Sequence, residues 1–120
     1  MKPQVRCAVA YIAACTVADS QATSIYDHER SLHVFLSGTI STSSIHVYDY
    51  TNQCAITGRG GRSGFDVFHH GERTHLSINI SGNRFDGYES ETSSHCSGTI
   101  NGKTITLFDY SSGAHFLYTL

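Results

Sequence analysis

The chain has 120 residues, a formal net charge of -2 and 15% charged side chains, a length that suits one domain rather than two. The low, slightly acidic charge excludes the basic surface typical of nucleic-acid-binding proteins, and no apolar run reaches transmembrane length. Frequent Ser, Thr and Tyr with alternating Ile and Val, and only one Pro, favour strands joined by tight turns. We therefore expect an all-β protein.

The first 22 residues differ in composition from the rest. A short basic start is followed by an apolar run over Cys7–Ala14 and then by small polar residues, which is the layout of an export signal. The alternative is an N-terminal strand or a short buried helix that belongs to the fold. These two hypotheses leave the location open between an exported or surface-anchored protein and a cytoplasmic one.

The segment Ile12-Ala13-Ala14-Cys15 resembles the lipobox of bacterial lipoprotein signals. The resemblance implies that Cys15 is lipidated and becomes the first residue of the mature chain. Cleavage there would remove Cys7 and leave Cys54 and Cys96, enough for one disulfide in an oxidising compartment. The alternative is that both are small buried residues of a reduced protein.

Residues 23–120 carry a repeat with a period near 20. A mostly acidic column occupies positions 27, 49, 69, 89 and 109, with successive differences of 22, 20, 20 and 20 and a histidine at 69. A second column is aromatic at 48, 68, 88 and 108, and a third is apolar at 45, 65, 85 and 105. Such regular spacing indicates a repeat architecture of about five units.

The turn chemistry predicts that each unit is a β-hairpin. Ser111-Ser112-Gly113 fits a three-residue loop in which Gly113 takes the left-handed conformation, so that Asp109 lies opposite His115. Asn101-Gly102 and Ser81-Gly82 fit the tight turns between units. We therefore predict an antiparallel meander that closes into a barrel or a pseudo-symmetric ring, because closure removes exposed strand edges. A stacked β-solenoid is the alternative.

With this register, residue parity divides the two faces of the sheet. Even positions such as Leu76, Ile78 and Ile100 form the predicted core. Odd positions carry the acidic residues and the histidines at one end, and the apolar column Ile45, Phe65, Phe85 and Ile105 at the other. This second face is half apolar, so we expect the N-terminal segment to cover it, or self-association with another subunit.

The predicted register also places a histidine opposite an acidic residue in several units. One hypothesis is structural, since such cross-strand pairs stabilise a sheet by roughly 0.2–1 kcal/mol. The other is a site for a divalent transition metal, whose imidazole ligands are held by carboxylates. The candidate metal ligands are His33, His75, His95 and His115. The candidate carboxylates behind them are Asp27, Glu89 and Asp109.

No local signature of an enzyme is present, because the abundant Ser, His and Asp residues lack a nucleophile elbow. The Gly-rich stretch at 58–64 lacks the Lys-Ser/Thr ending of a phosphate loop and does not precede a helix, so we interpret it as a hairpin connection. The sequence thus favours a small β-repeat binding or structural module of unknown ligand. A metal-binding protein that uses the histidine column is the alternative, and an enzyme with an unrecognised site is the third.

Overall fold

The computed structural model describes residues 1–61 and 64–120, and in them a single helix precedes ten antiparallel strands. Each strand pairs with the next along the chain, and β1 pairs with β10, so that the sheet closes into a barrel. The predicted meander of hairpin repeats in a closed barrel is therefore confirmed. The elements are α1 (Pro3–Ala18), β1 (Ser24–Asp27), β2 (Leu32–Ile40), β3 (Ser44–Asp49), β4 (Cys54–Gly60), β5 (Gly64–His69), β6 (Thr74–Ser81), β7 (Arg84–Glu89), β8 (Ser94–Asn101), β9 (Thr104–Asp109) and β10 (Ala114–Thr119).

Helix α1 fills the interior of the barrel. Pro3 occupies the first turn, where its missing N–H costs nothing, and Asp19 ends the helix in a left-handed conformation with φ of 50°. Every residue from Val5 to Cys15 is buried, so all sides of the helix contact the surrounding strands. A side chain deleted from this helix leaves space that a closed, hydrogen-bonded wall cannot easily fill.

The loop within each hairpin has four residues, one more than predicted. In the last unit Asp109 pairs with Ala114 and Phe108 pairs with His115. Gly113 has a φ of 68°, as expected, and its N–H donates to the carbonyl oxygen of Asp109 over 2.8 Å. The same loop position has a positive φ in every unit, at Ser31, Gln53, Arg73 and Ser93.

This one-residue difference reverses the predicted faces in half of the strands. A one-residue change of register moves a strand's side chains to the opposite face of the sheet. The interior therefore receives odd positions from β3, β5, β7 and β9, but even positions from β2, β4, β6, β8 and β10. The prediction that all even positions form the core is wrong, and Tyr88 and Phe108 in fact point outward.

The apolar column Ile45, Phe65, Phe85 and Ile105 lies inside the barrel, at most 6% exposed, in the same core as α1. The N-terminal segment thus covers the residues that had suggested a second subunit. The reason for predicting self-association is removed, because this column is not a surface.

The connection predicted at 58–64 lies only partly in the described chain. Gly60 ends β4 and Gly64 begins β5, while Arg62 and Ser63 lie outside the described residues. In the part of the chain that the structure describes, no helix combines the length and apolarity needed to cross a membrane.

Candidate functional site

The acidic column of the repeat caps the four-residue loops. Asp109 Oδ1 accepts hydrogen bonds from the N–H and the hydroxyl of Ser111, at 3.0 and 2.6 Å. Asp49 Oδ1 accepts from the N–H of Asn52 at 2.9 Å, and Glu89 Oε1 accepts from the hydroxyl of Thr92 at 2.6 Å. Side chains that accept from the backbone of a following turn stabilise that turn. The column therefore has a structural role in each hairpin.

The same carboxylates lie inside the barrel around the amino end of α1. Asp109 is fully buried, and its Oδ2 lies 3.4 Å from the guanidinium of Arg6 and 3.5 Å from the terminal amino group of Met1. The Arg6 guanidinium also lies 3.7 Å above the ring of Phe116. Negative charge near a helix amino terminus is favourable, so the column also stabilises the central helix. Hydrogen bonds from Ser111 and the charge of the terminal amino group hold the pKa of Asp109 below its usual range, against the opposing effect of burial.

His69 takes the place of an acid in the third unit. Its Nδ1 accepts a hydrogen bond from the N–H of Glu72 at 3.1 Å, which requires an unprotonated nitrogen. Burial lowers the pKa of His69, which is consistent with a neutral ring. A neutral imidazole thus replaces the carboxylate as the acceptor of the loop.

The carboxylates and the histidines lie on opposite faces of the barrel wall. Asp27, Glu89 and Asp109 point inward and are at most 4% exposed, whereas the histidines of the neighbouring strands are exposed. The predicted carboxylate–histidine pairs are therefore wrong, because the longer loop places an aromatic ring opposite each histidine instead. Tyr26 pairs with His33, and Phe108 pairs with His115.

The four candidate metal ligands do not converge. His33, His75, His95 and His115 lie on even-numbered strands, and an intervening strand separates them by about 9.5 Å or more. Two nitrogens that bind one zinc ion lie within about 4 Å of each other, since each Zn–N bond is about 2.1 Å long. Within residues 1–61 and 64–120, no three His, Cys, Asp or Glu side chains are close enough together to share a metal ion.

The four cysteines are buried free thiols. Cys54 and Cys96 project into the barrel from β4 and β8, which are four strands apart, so the structure does not contain the predicted disulfide. Burial raises the pKa of Cys7 and of Cys96 to about 12, and such thiols are poor nucleophiles at neutral pH. Cys15, the candidate lipidation site, is 3% exposed near the end of α1. Its lipidation stays a prediction.

Aromatic and imidazole side chains form a band on the outside of the barrel at the end of the four-residue loops. We call this band the outer belt. The strand before the loop, the loop itself and the strand after it each place one side chain outward, and in the first, third and fifth units all three are rings. Ala55 in the second unit and Ser90 in the fourth stand where the other units have a ring. The residues of the outer belt are Tyr26, His28, His33, Phe35, Tyr48, Tyr50, Phe68, His70, His75, Tyr88, His95, Phe108, Tyr110 and His115.

The outer belt exposes large apolar surface. Tyr50 is 59% exposed, Phe35 56% and Tyr110 55%, and none of the three contributes to the core. The rings contact one another in edge-to-face pairs, such as Tyr48 and Tyr50 with centroids 4.9 Å apart. Such pairs stabilise by roughly 0.5–1.5 kcal/mol and also hold the rings in fixed orientations.

An open groove of about 430 Å³ lies on the outer surface where the belt meets β7, β8 and β9. Asp86 and Arg84 line one side of it, and Phe108, Tyr110 and His115 line the other. This volume is within the range of small-ligand sites. The groove combines charged and hydroxyl groups with exposed rings, which makes it the candidate binding site.

Sequence reasoning found part of this site. The histidine column predicted His115, although with a different role, whereas Phe108 of the aromatic column was predicted for the core. Asp86 and Ser97 were missed, although Asp66 and Ser77 stand 20 residues before them and are a cross-strand pair of the same kind. That repeated outward pair was the available signal.

Comparisons of the chain with protein-family models, with curated proteins and with solved structures found no match. The site is interpreted from its own geometry.

Proposed function

We propose that this protein is a binding module that captures its ligand on the outer belt. The observation that carries the proposal is the exposure of aromatic rings at equivalent positions in different repeats: Tyr48 at 39% and Tyr88 at 43% on the strand before the loop, and Tyr50 at 59% and Tyr110 at 55% in the loop. Exposed apolar residues that gather in one band commonly mark interaction sites, whereas single scattered ones do not.

The arrangement of the molecule supports this assignment. The interior is occupied by α1, so the barrel offers no large internal cavity for a ligand among its described residues. The inward acidic residues already serve the loops and the helix. The outer belt is the part of the repeat that neither the core nor the loop caps explain.

Metal binding, the alternative from the histidine column, gains no support from the geometry. Its histidines lie on separate strands, and His75 contacts Glu91 instead, with Nδ1 and Oε1 2.7 Å apart. We therefore prefer ligand binding on the aromatic outer belt to metal binding as the function.

The proposal is tested with a triple variant, Tyr48→Ser, Tyr88→Ser and Tyr110→Ser, which removes apolar belt surface without touching the core. The matched control is Asn83→Ala with Lys103→Ala, which alters exposed turns at the opposite end of the barrel. Both proteins and the parent are presented to immobilised polysaccharides, a peptide library and phosphatidylcholine vesicles. Sedimentation velocity measures self-association in parallel.

We expect the parent and the turn control to bind at least one class of probe, and the belt variant to lose that binding. Equal binding by all three proteins would contradict the proposal, and so would the absence of binding at probe concentrations up to about 1 mM, a very weak affinity.

A further inference from the structure

The floor of the groove is made of small side chains between two higher walls. Ser97 and Thr99 point outward from β8, the middle strand of the groove. Across the strands, Ser97 pairs with Asp86 on one side and with Phe108 on the other. The concave shape thus follows from residue size along β8.

The wall on β7 is polar. The Asp86 side chain is 59% exposed, and its Oδ1 lies 3.8 Å from Nε2 of His95. Its carboxylate oxygens are therefore free to accept hydrogen bonds from a ligand, while Arg84 and the hydroxyls of Ser97 and Thr99 supply donors. A carboxylate in this place disfavours anionic ligands, because like charges repel across a short distance.

The opposite wall is aromatic and is held in place. The Tyr110 ring stacks on His95 with centroids 5.0 Å apart and an interplanar angle of 10°. Phe108 approaches it edge-on at 4.8 Å, and the Tyr110 hydroxyl lies 3.2 Å from the hydroxyl of Ser97. Side chains that are already ordered lose little entropy when a ligand binds.

The ligand that fits both walls is uncharged, has a flat face of C–H groups and carries hydroxyls at its edges. The negative face of an aromatic ring attracts the C–H face, and the carboxylate and the hydroxyls recognise the edges. We propose that this groove binds a saccharide. The inference rests on the proposed binding function and names its ligand class.

The barrel provides its own control for this site. One repeat earlier, Asp66 faces Ser77 in the same cross-strand arrangement. The residue at the position of Tyr110 is Ser90 there, so that the acidic pair lacks the loop ring of the aromatic wall. Lys103 provides a second control, since it lies in an exposed turn at the opposite end of the barrel, outside the outer belt and the groove.

The test begins with the fluorescently labelled full chain on an array of neutral hexose oligosaccharides. The soluble oligosaccharide bound most strongly is then titrated calorimetrically into the parent and into Tyr110→Ala, Asp86→Asn, Lys103→Ala and Asp66→Asn. All four substitutions are at exposed positions, and circular dichroism checks that each variant is folded. We expect Tyr110→Ala and Asp86→Asn each to weaken binding by roughly tenfold or more, the loss expected for a contact to a charged group or a stacking face. Lys103→Ala and Asp66→Asn should stay within about twofold of the parent.

A blank array overturns the inference, and so does a bound oligosaccharide whose affinity is unchanged in Tyr110→Ala and Asp86→Asn. The two proposals fail separately. A blank array together with belt-dependent binding of peptides or vesicles refutes the saccharide and leaves the binding function standing. If no probe of any class binds through the outer belt, both proposals are refuted.

Discussion

The central helix makes a strong prediction about stability. Ile12 is fully buried in the middle of α1, within the barrel. Ile12→Ala removes three carbons, which at about 0.8 kcal/mol each gives roughly 2.4 kcal/mol of lost transfer free energy. A cavity of roughly 50 Å³ left unfilled adds about 1.2 kcal/mol at 24 cal/mol per Å³. We therefore expect the free energy of unfolding to fall by about 3.5 kcal/mol.

Urea unfolding measures this loss. With a slope of roughly 2 kcal/mol per molar urea, the midpoint should fall by about 1.8 M. The matched control is Val17→Ala near the end of the same helix, where the side chain is only partly buried and the higher helix propensity of Ala offsets part of the loss; we expect about 1 kcal/mol or less. A loss for Ile12→Ala no greater than that of the control would refute the placement of this helix in the core. The intact mass of the purified chain tests the competing export hypothesis, since cleavage before Cys15 would remove Ile12.

Three further predictions concern the interior. Burial lowers the pKa of His69, so the unfolded chain binds a proton that the folded chain does not; the free energy of unfolding should therefore decrease as the pH falls below about 6.5, by up to ~1.4 kcal/mol per pH unit. His69→Asn keeps an acceptor for the loop and should reduce this decrease between about pH 7.5 and 5.5 in urea titrations, whereas an unchanged pH profile would count against a buried neutral ring. Asp109→Asn removes the buried carboxylate beside the Arg6 guanidinium and leaves it only the half-exposed Glu29 at 4.0 Å, so thermal and urea unfolding should show a loss of about 3–5 kcal/mol; a neutral result would mean that water screens this pair. Gly87→Ala should cost roughly 1–3 kcal/mol because the added Cβ would lie 2.8 Å from the sulfur of Cys96. Gly61→Ala, whose added Cβ has no atom of the described residues within 4 Å, should be nearly neutral; equal effects would contradict this packing.

The repeat made the fold class predictable. Acidic, aromatic and apolar columns at a spacing of 20 identified hairpins, and the open edges of a meander required closure. The left-handed residue was visible at Gly113 because glycine is the usual residue at positive φ. At Ser31, Gln53, Arg73 and Ser93 the same conformation occurs without glycine, so local sequence could not distinguish three-residue from four-residue loops.

The candidate site depended on that distinction. In the predicted register Asp109 and His115 were neighbours, and one additional loop residue moved the acid inside the barrel and left the histidine outside. Because of this single change, the histidines that had suggested a metal site belong to an outer surface of paired rings. The repeat carried a signal for the outward pair Asp86 and Ser97, but the groove around that pair could not be predicted, because its shape depends on three strands that come together with small residues between larger ones.

The sequence by itself determined the repeating hairpins, the antiparallel barrel and the columns of side chains, because spacing along the chain encodes which positions are equivalent. The tertiary structure decided which face each column occupies and where the N-terminal segment lies. An apolar segment such as Val5–Cys15 has no polar side to orient it, so its periodicity cannot distinguish a leader from a buried helix. Only a closed wall of ten strands creates an interior that such a helix can fill, and that interior exists only after the ends of the sheet have joined.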